Sequence, residues 1–199
     1  MGNVDIAYII PGYTSNNDRT YWKISKLFEK VGIRSKVVKI KWQNRVMTDY
    51  VSELIERIRE DKPRRIYLLG HSFGAMVAFI AASGQVNTHH LILCSLSPYF
   101  SEDLHFKRVR KWRKGLGERR WRDFKKIRFN QLVGKCRCKV TLMVGSEEWK
   151  EIINRTKEAK RKIRGSRAII VEGAEHDIGG EIYFNAVKKY IGGLDSRKI

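Results

Sequence analysis

Apolar positions along the chain fall into two alternating patterns. Six short runs, at 4–10, 36–40, 65–69, 89–94, 139–144 and 167–171, are rich in Val, Ile and Leu and mostly apolar on both faces. Such runs read as parallel strands covered on both sides. Between them, hydrophobic residues recur at helical spacing. Segment 20–31 places Trp22, Ile24, Leu27, Phe28 and Val31 on one stripe, and 47–59 does so with Val51, Leu54, Ile55 and Ile58. Segment 73–83 is apolar nearly all round, which predicts a buried helix. Segments 150–163 and 181–191 complete the set, the latter patterned by Ile182, Phe184, Val187 and Ile191. Strand–helix alternation of this kind implies right-handed crossovers and a largely parallel six-stranded sheet.

One interval breaks the rhythm. Between the runs at 89–94 and 139–144 lie 44 residues where a single helix would suffice. A structureless loop of that length is uncommon inside a domain. Val109, Trp112 and Leu116 form one helical stripe and Trp121, Phe124 and Ile127 a second, with Gly115 and Gly117 at the break. The pattern predicts a helical hairpin, a cap inserted at about 98–138 above the sheet. At 199 residues the chain is sized for one domain, 1–199, with that insertion.

Charge changes the picture. The chain has 41 Lys+Arg against 21 Asp+Glu, a net charge of +20. Residues 105–139 hold fifteen Lys/Arg and two acids, Glu118 and Asp123, while 155–167 hold seven Lys/Arg and one acid. The remainder is nearly neutral. Four readings of the basic stretches follow: a solvated charged face, recognition of an anionic substrate, docking on an anionic membrane surface, and nucleic acid. The last ranks lowest, since no nucleic-acid module is recognisable. No apolar run reaches the ~18–20 residues that span a bilayer. The start MGNVDIAYII lacks the basic n-region of a signal peptide, and Ile6 stands where a myristoylation signal has Ser or Thr. Cys94 reads as a core residue. Cys136 and Cys138 are too close for a relaxed disulfide and lack a second ligand pair for zinc. The expectation is a cytoplasmic protein with reduced thiols and no cofactor or metal.

The chemistry concentrates after the third strand, at Gly70-His71-Ser72-Phe73-Gly74. A G-x-S-x-G sequence between a strand and a buried helix turns the chain so sharply that the serine projects above the sheet. Helix-start N–H groups beside Ser72 then face any oxyanion that forms. Partners are expected in the order acid, then histidine. The fifth strand ends in Gly145-Ser146-Glu147-Glu148-Trp149 and the sixth is followed by Glu172-Gly173-Ala174-Glu175-His176-Asp177. Both segments fall at the carboxyl ends of strands, where open parallel sheets place their sites.

The chain resembles the α/β-hydrolase superfamily through LLGHSFGA (68–75), VGSEEW (144–149), EGAEHDI (172–178) and IIPGYTS (9–15). The resemblance implies the α/β-hydrolase fold: a three-layer α/β sandwich on a minimal six-stranded, mainly parallel sheet of order 2-1-3-4-5-6, with a small helical cap. It makes Ser72 the nucleophile, His176 the general base and Glu148 the acid, with Glu147 as the alternative acid. It assigns the oxyanion hole to the backbone N–H groups of Phe73 and Tyr13. It implies hydrolysis of a small-molecule carboxylic ester through an acyl-enzyme. Two alternatives stay open: a thioesterase or lysophospholipase acting on an anionic substrate, and a non-catalytic protein of this fold that binds anionic membrane or nucleic acid through its cap.

The remaining candidates are weighed against structural roles. Trp112, Trp121, Phe124 and Phe106 could wall an acyl site or only anchor the cap. Ser95 and Ser97 end the fourth strand and are expected to line the pocket. His71 reads as a packing residue, His89 and His90 as strand-rim residues, and His105 as a cap residue. Asp177 adjoins His176, but neighbouring side chains rarely hold an imidazole at the required angle.

Overall fold

The β-branched and aliphatic runs form the strands that their composition favours. The computed structural model describes residues 4–13, 18–43 and 45–194. Thr14 and Ser15, at the end of the IIPGYTS motif, lie outside the described residues, as do Met1 and Gly2. Six strands, β1 Ile6–Ile10, β2 Arg34–Val37, β3 Ile66–His71, β4 His90–Cys94, β5 Lys139–Gly145 and β6 Arg167–Val171, form one sheet in the order β2-β1-β3-β4-β5-β6. Every pairing is parallel. The expected order and hydrolase-type architecture are therefore observed.

Helices α1 Asp18–Lys30 and α9 Glu181–Gly192 cover one face. Their apolar stripes meet Ala7, Ile9, Tyr67, Leu69 and Ile92. Helices α2 Met47–Asp61, α3 Phe73–Ala82 and α8 Lys150–Lys162 lie on the other. All ten residues of α3 are buried, as its all-apolar sequence demands. The strands run apolar on both faces only in the middle of the sheet. At its edges β2 and β6 are largely exposed, Ile170 by 51%. Strand β2 also begins earlier than its apolar run, because pairing Ile6 with Arg34 sets the register; Val38 N–H still donates to Ile9 O at 2.8 Å.

The expected two-helix cap is instead a 3-10 turn, Ser101–Asp103, followed by four short helices: α4 Lys107–Lys111, α5 Arg113–Leu116, α6 Glu118–Phe124 and α7 Phe129–Val133. Gly117, at φ +83°, divides α5 from α6. Short helices have little stability of their own, so the cap is held by tertiary bonds. Asp123 accepts from the N–H and hydroxyl of Thr48 at the start of α2, at 3.1 and 2.9 Å. Glu102 accepts from the N–H groups of Phe129 and Asn130 that open α7, at 3.0 and 3.1 Å. Asp103 and Arg155 of α8 form an ion pair with side chains only 3% and 2% exposed. The Arg155 guanidinium also lies 4.2 Å from the Phe129 ring centroid.

The three cysteines are free thiols; the Cys136 and Cys138 sulfurs are 3.7 Å apart. Among the described residues no helix is long and apolar enough to cross a membrane.

Two predictions follow from burial. Arg155→Met strands the Asp103 carboxylate and lowers unfolding free energy by ~3–5 kcal/mol in urea denaturation, and adding Asp103→Leu restores most of the loss. Burial also drives the imidazoles of His71 and His90 down to about 3, so both stay neutral in the folded state. The unfolded chain protonates them below its ordinary value of ~6.5, so stability falls as pH drops through that value, by about 1.4 kcal/mol per pH unit for each histidine. Urea midpoints at pH 6 and pH 5 measure this slope, and His90→Gln removes the share that His90 contributes.

Candidate active site

At the β3–α3 junction the chain reverses within one residue. Ser72 takes φ 55° and ψ −119°, a region that costs a non-glycine residue ~1–3 kcal/mol and persists only where the surroundings enforce it. Enforcement comes from close backbone approach. A Cβ at Gly70 would stand 2.3 Å from Gly74 O, and one at Gly74 would stand 2.1 Å from Ile10 O. Neither position admits a side chain, so α3 can start directly against β1 and β3. Ser72 is thereby lifted to the carboxyl edge of the sheet.

Two other strand ends meet it there. Ser72 Oγ is 3.0 Å from His176 Nε2, and His176 Nδ1 is 2.7 Å from Glu148 Oε2. A carboxylate can only accept, so Nδ1 carries the proton and Nε2 presents its lone pair to the serine. The Glu148 side chain is fully buried. Its other oxygen accepts from Ser95 Oγ at 2.7 Å and from Gly145 N–H at 2.9 Å. Three donors thus hold the carboxylate in one orientation. Ser95 itself has φ 54°, and the Tyr183 hydroxyl lies 2.9 Å from its Oγ. This is a second strained residue in the site.

Glu147 is exposed and accepts from the neighbouring Ser146 hydroxyl, at 3.0 Å. Asp177 is exposed and accepts from Gly179 N–H at 2.8 Å. Of the three acids considered, the structure brings Glu148 to the histidine.

A cavity of about 260 Å³ opens above Ser72, walled by Tyr13, Phe73, Tyr99, Trp112 and Trp149, with Ser97 and His176 at its floor. Of the aromatic candidates, Trp112 lines it and is 45% exposed. Trp121 and Phe124 do not. They are 3% and 1% exposed, and Phe124 packs behind the wall against the rings of Phe73 and Tyr99. The helical stripe that carries them faces the core, which is why pattern alone overstated their reach. Phe106 likewise packs on the core.

Sequence reasoning expected Ser95 and Ser97 at the pocket. Ser97 lines it and its hydroxyl lies 3.1 Å from Ser72 Oγ, whereas Ser95 is turned under Glu148. His71 is buried, with Nε2 2.9 Å from His176 O and Nδ1 2.9 Å from the Tyr21 hydroxyl. Residues around the site that the sequence reading did not single out include Tyr99, Tyr183 and Tyr21. Each reaches it from a separate loop or helix. A larger open groove of about 670 Å³ lies between α1 and α9, where five Lys/Arg surround Trp22, Leu27 and Phe184. It holds none of the Ser, His and acid set.

Chemically, the arrangement offers a serine hydroxyl in line with a neutral imidazole, the imidazole oriented by a buried carboxylate. The N–H of Phe73, first in α3, has no helical carbonyl four residues back to bond.

A family model described as alpha/beta hydrolase matches residues 11–177. A comparison with curated proteins finds no match. Among solved structures the chain is similar to Est1E from Butyrivibrio proteoclasticus, with TM-score 0.80 and 15% identity over 96% of this chain and 86% of that one. It is similar to a structure from a study of carboxylesterases of the thaumarchaeon Nitrososphaera gargenis, with TM-score 0.69 and 17% identity over 94% and 90% of the two chains. It is also similar to the esterase EaEST from Exiguobacterium antarcticum, with TM-score 0.70 and 14% identity over 96% and 92%. At such identities these likenesses speak to the fold. The family match spans most of the sequence, from the loop after β1 to the residue beyond His176, and on that span the chain belongs to the alpha/beta hydrolase family.

Proposed function

We propose that the protein is a serine hydrolase that cleaves a carboxylic ester through an acyl-enzyme. The observation that carries this reading is the unbroken hydrogen-bonded chain Ser72–His176–Glu148 at the floor of a cavity. His176 Nε2 takes the hydroxyl proton as Ser72 Oγ bonds to the ester carbonyl carbon. The carbonyl electrons move onto oxygen, where the N–H groups of Phe73 and Tyr13 receive them. Collapse of that intermediate re-forms the carbonyl and breaks the bond from its carbon to the alkoxy oxygen, and the imidazolium passes its proton to the departing alcohol. Water repeats the sequence on the acyl-serine and releases the acid. Glu148 stays ionised throughout and stabilises the imidazolium. With about 260 Å³ of largely aromatic space, the cavity suits short or medium acyl groups.

A second reading concerns the leaving group. The Arg108 guanidinium lies 4.2 Å from the ring centroid of Trp149, which lines the cavity. That cation favours an ester or thioester whose remote end is anionic.

A fluorophosphonate probe is expected to label the wild-type protein and not Ser72→Ala, whose kcat on p-nitrophenyl butyrate falls by at least about ten-thousand-fold. No labelling of wild type, or equal labelling of both, overturns the reading. Glu148→Gln loses about a thousand-fold or more in kcat while Glu147→Gln stays within about twofold of wild type; the reverse result moves the acid to Glu147. Arg108→Ala raises KM for a carboxylate-bearing ester by about tenfold and leaves its neutral counterpart unchanged, measured as paired substrates at low salt.

A further inference from the structure

If Tyr13 N–H is to receive the oxyanion, something must hold the peptide that carries it. Phe73 N–H is fixed by helix α3. Tyr13 sits in a loop, directly after a glycine whose backbone torsions are the least restrained of any residue. That loop lies against the nucleophile: a Cβ on Gly12 would stand 3.2 Å from Ser72 Cβ and 3.1 Å from His71 Nδ1.

Two hydrogen bonds grip Gly12 from opposite sides. Its carbonyl accepts from Trp42 Nε1–H at 3.0 Å. Its own N–H donates to the Tyr21 hydroxyl at 3.1 Å. The Gly12 carbonyl and the Tyr13 N–H belong to one planar trans peptide, so they point in opposite directions. Fixing the carbonyl fixes the direction of the N–H.

Trp42 is itself held on several sides. Its ring meets the rings of Tyr50, Tyr13 and Phe73, with centroids 4.4, 5.7 and 5.9 Å away. Its carbonyl accepts from Arg120 of the cap. Arg120 also donates to Arg45 O at 2.9 Å and Leu116 O at 3.0 Å, and its guanidinium lies 5.5 Å from the Tyr13 ring centroid.

We propose that Trp42 is a positioning residue for the oxyanion hole: its indole N–H holds the Gly12–Tyr13 peptide in the orientation that presents the Tyr13 N–H to the reacting carbonyl oxygen. This rests on the serine-hydrolase reading. Tyr21 is the second grip. A buried neutral His71 donates from Nε2 to the His176 carbonyl, so its Nδ1 accepts from Tyr21, whose oxygen in turn accepts from Gly12 N–H. The oxyanion loop and the backbone of the general base are thereby tied to one another. Arg120 extends the connection to the cap.

The test replaces Trp42 in the full chain by Phe and, separately, by 3-benzothienylalanine, which keeps the bicyclic ring and lacks the donor. Hydrolysis of p-nitrophenyl butyrate is measured beside inhibition by an alkyl trifluoromethyl ketone, whose serine adduct carries an oxyanion. Both variants are expected to lose about 10–100-fold in kcat with KM within about threefold of wild type. The inhibition constant of the ketone rises by the same factor as kcat/KM falls. A merely structural tryptophan would not produce that proportionality, and the benzothienyl variant preserves packing should Trp42→Phe fail to fold. With wild type active, a benzothienyl variant within twofold of it overturns the proposal, as does a kcat loss with unchanged ketone affinity. A wild type inactive on esters and unlabelled by fluorophosphonate overturns the hydrolase reading and this proposal with it.

Discussion

The chemistry of this protein depends on how closely helix α3 approaches strands β1 and β3. Gly70 and Gly74 have no room for even a methyl group, since a Cβ at Gly74 would run into the carbonyl groups of Ile10 and Pro11 and one at Gly70 into Gly74 itself. That approach forces Ser72 into a conformation that no isolated serine would choose. Ten buried apolar residues of α3 hold the helix down against the recoil. Strain at Ser72 and apolar burial behind it are therefore two sides of one arrangement. The same contact brings the loop after β1 against Ser72, so Ser72 and the Gly12 loop are set by a single packing event.

The sheet and the three principal side chains were legible because their signals are local. A strand ending, a glycine and a polar residue occupy neighbouring positions, and parallel topology delivers all strand ends to one edge. Helices α2, α3, α8 and α9 lie within about two residues of their hydrophobic stripes. What was illegible is long-range. Ser95 supports Glu148 across 53 positions, Trp42 reaches Gly12 across 30, and Tyr21 meets His71 across 50. Nothing in the composition of those segments says which side chain will point where. The cap was legible as a helical insertion but not as four separate helices, for a different reason. Its helices are four to seven residues long, too short for a 3.6-residue period to define a face against alternative foldings.

Net positive charge of +20 poses its own physical problem, since a cap crowded with cations repels itself. The structure uses its scarce acids at joints. Asp123 and Glu118 are the only acids in residues 105–139; one ties α6 to the start of α2 and the other pairs with Arg113 at 2.7 Å. Asp103 and Glu102, just before that stretch, secure α8 and α7. Some of the basic residues serve structure in turn: Arg120 bonds three carbonyls and Arg155 stacks on Phe129. Part of what composition presents as a surface for anionic partners is thus an internal fastening between cap and sheet.

The acid at position 148 shows how a side-chain length is accommodated. Glutamate has one more rotatable bond than aspartate, and a loosely held carboxylate would let the imidazole wander and weaken its alignment with Ser72. The site removes that freedom by saturating the carboxylate. Ser95 Oγ and Gly145 N–H bind one oxygen and His176 the other, in a pocket closed to solvent. Ser95 reaches it only because its own backbone adopts φ 54°, and the Tyr183 hydroxyl beneath it is 3.0 Å from Met143 O. The strain at Ser95 therefore has the same logic as the strain at Ser72. In each case a strand end is bent out of its ordinary geometry to aim one hydroxyl, and the burial of neighbouring strands supplies the stabilisation that keeps it there.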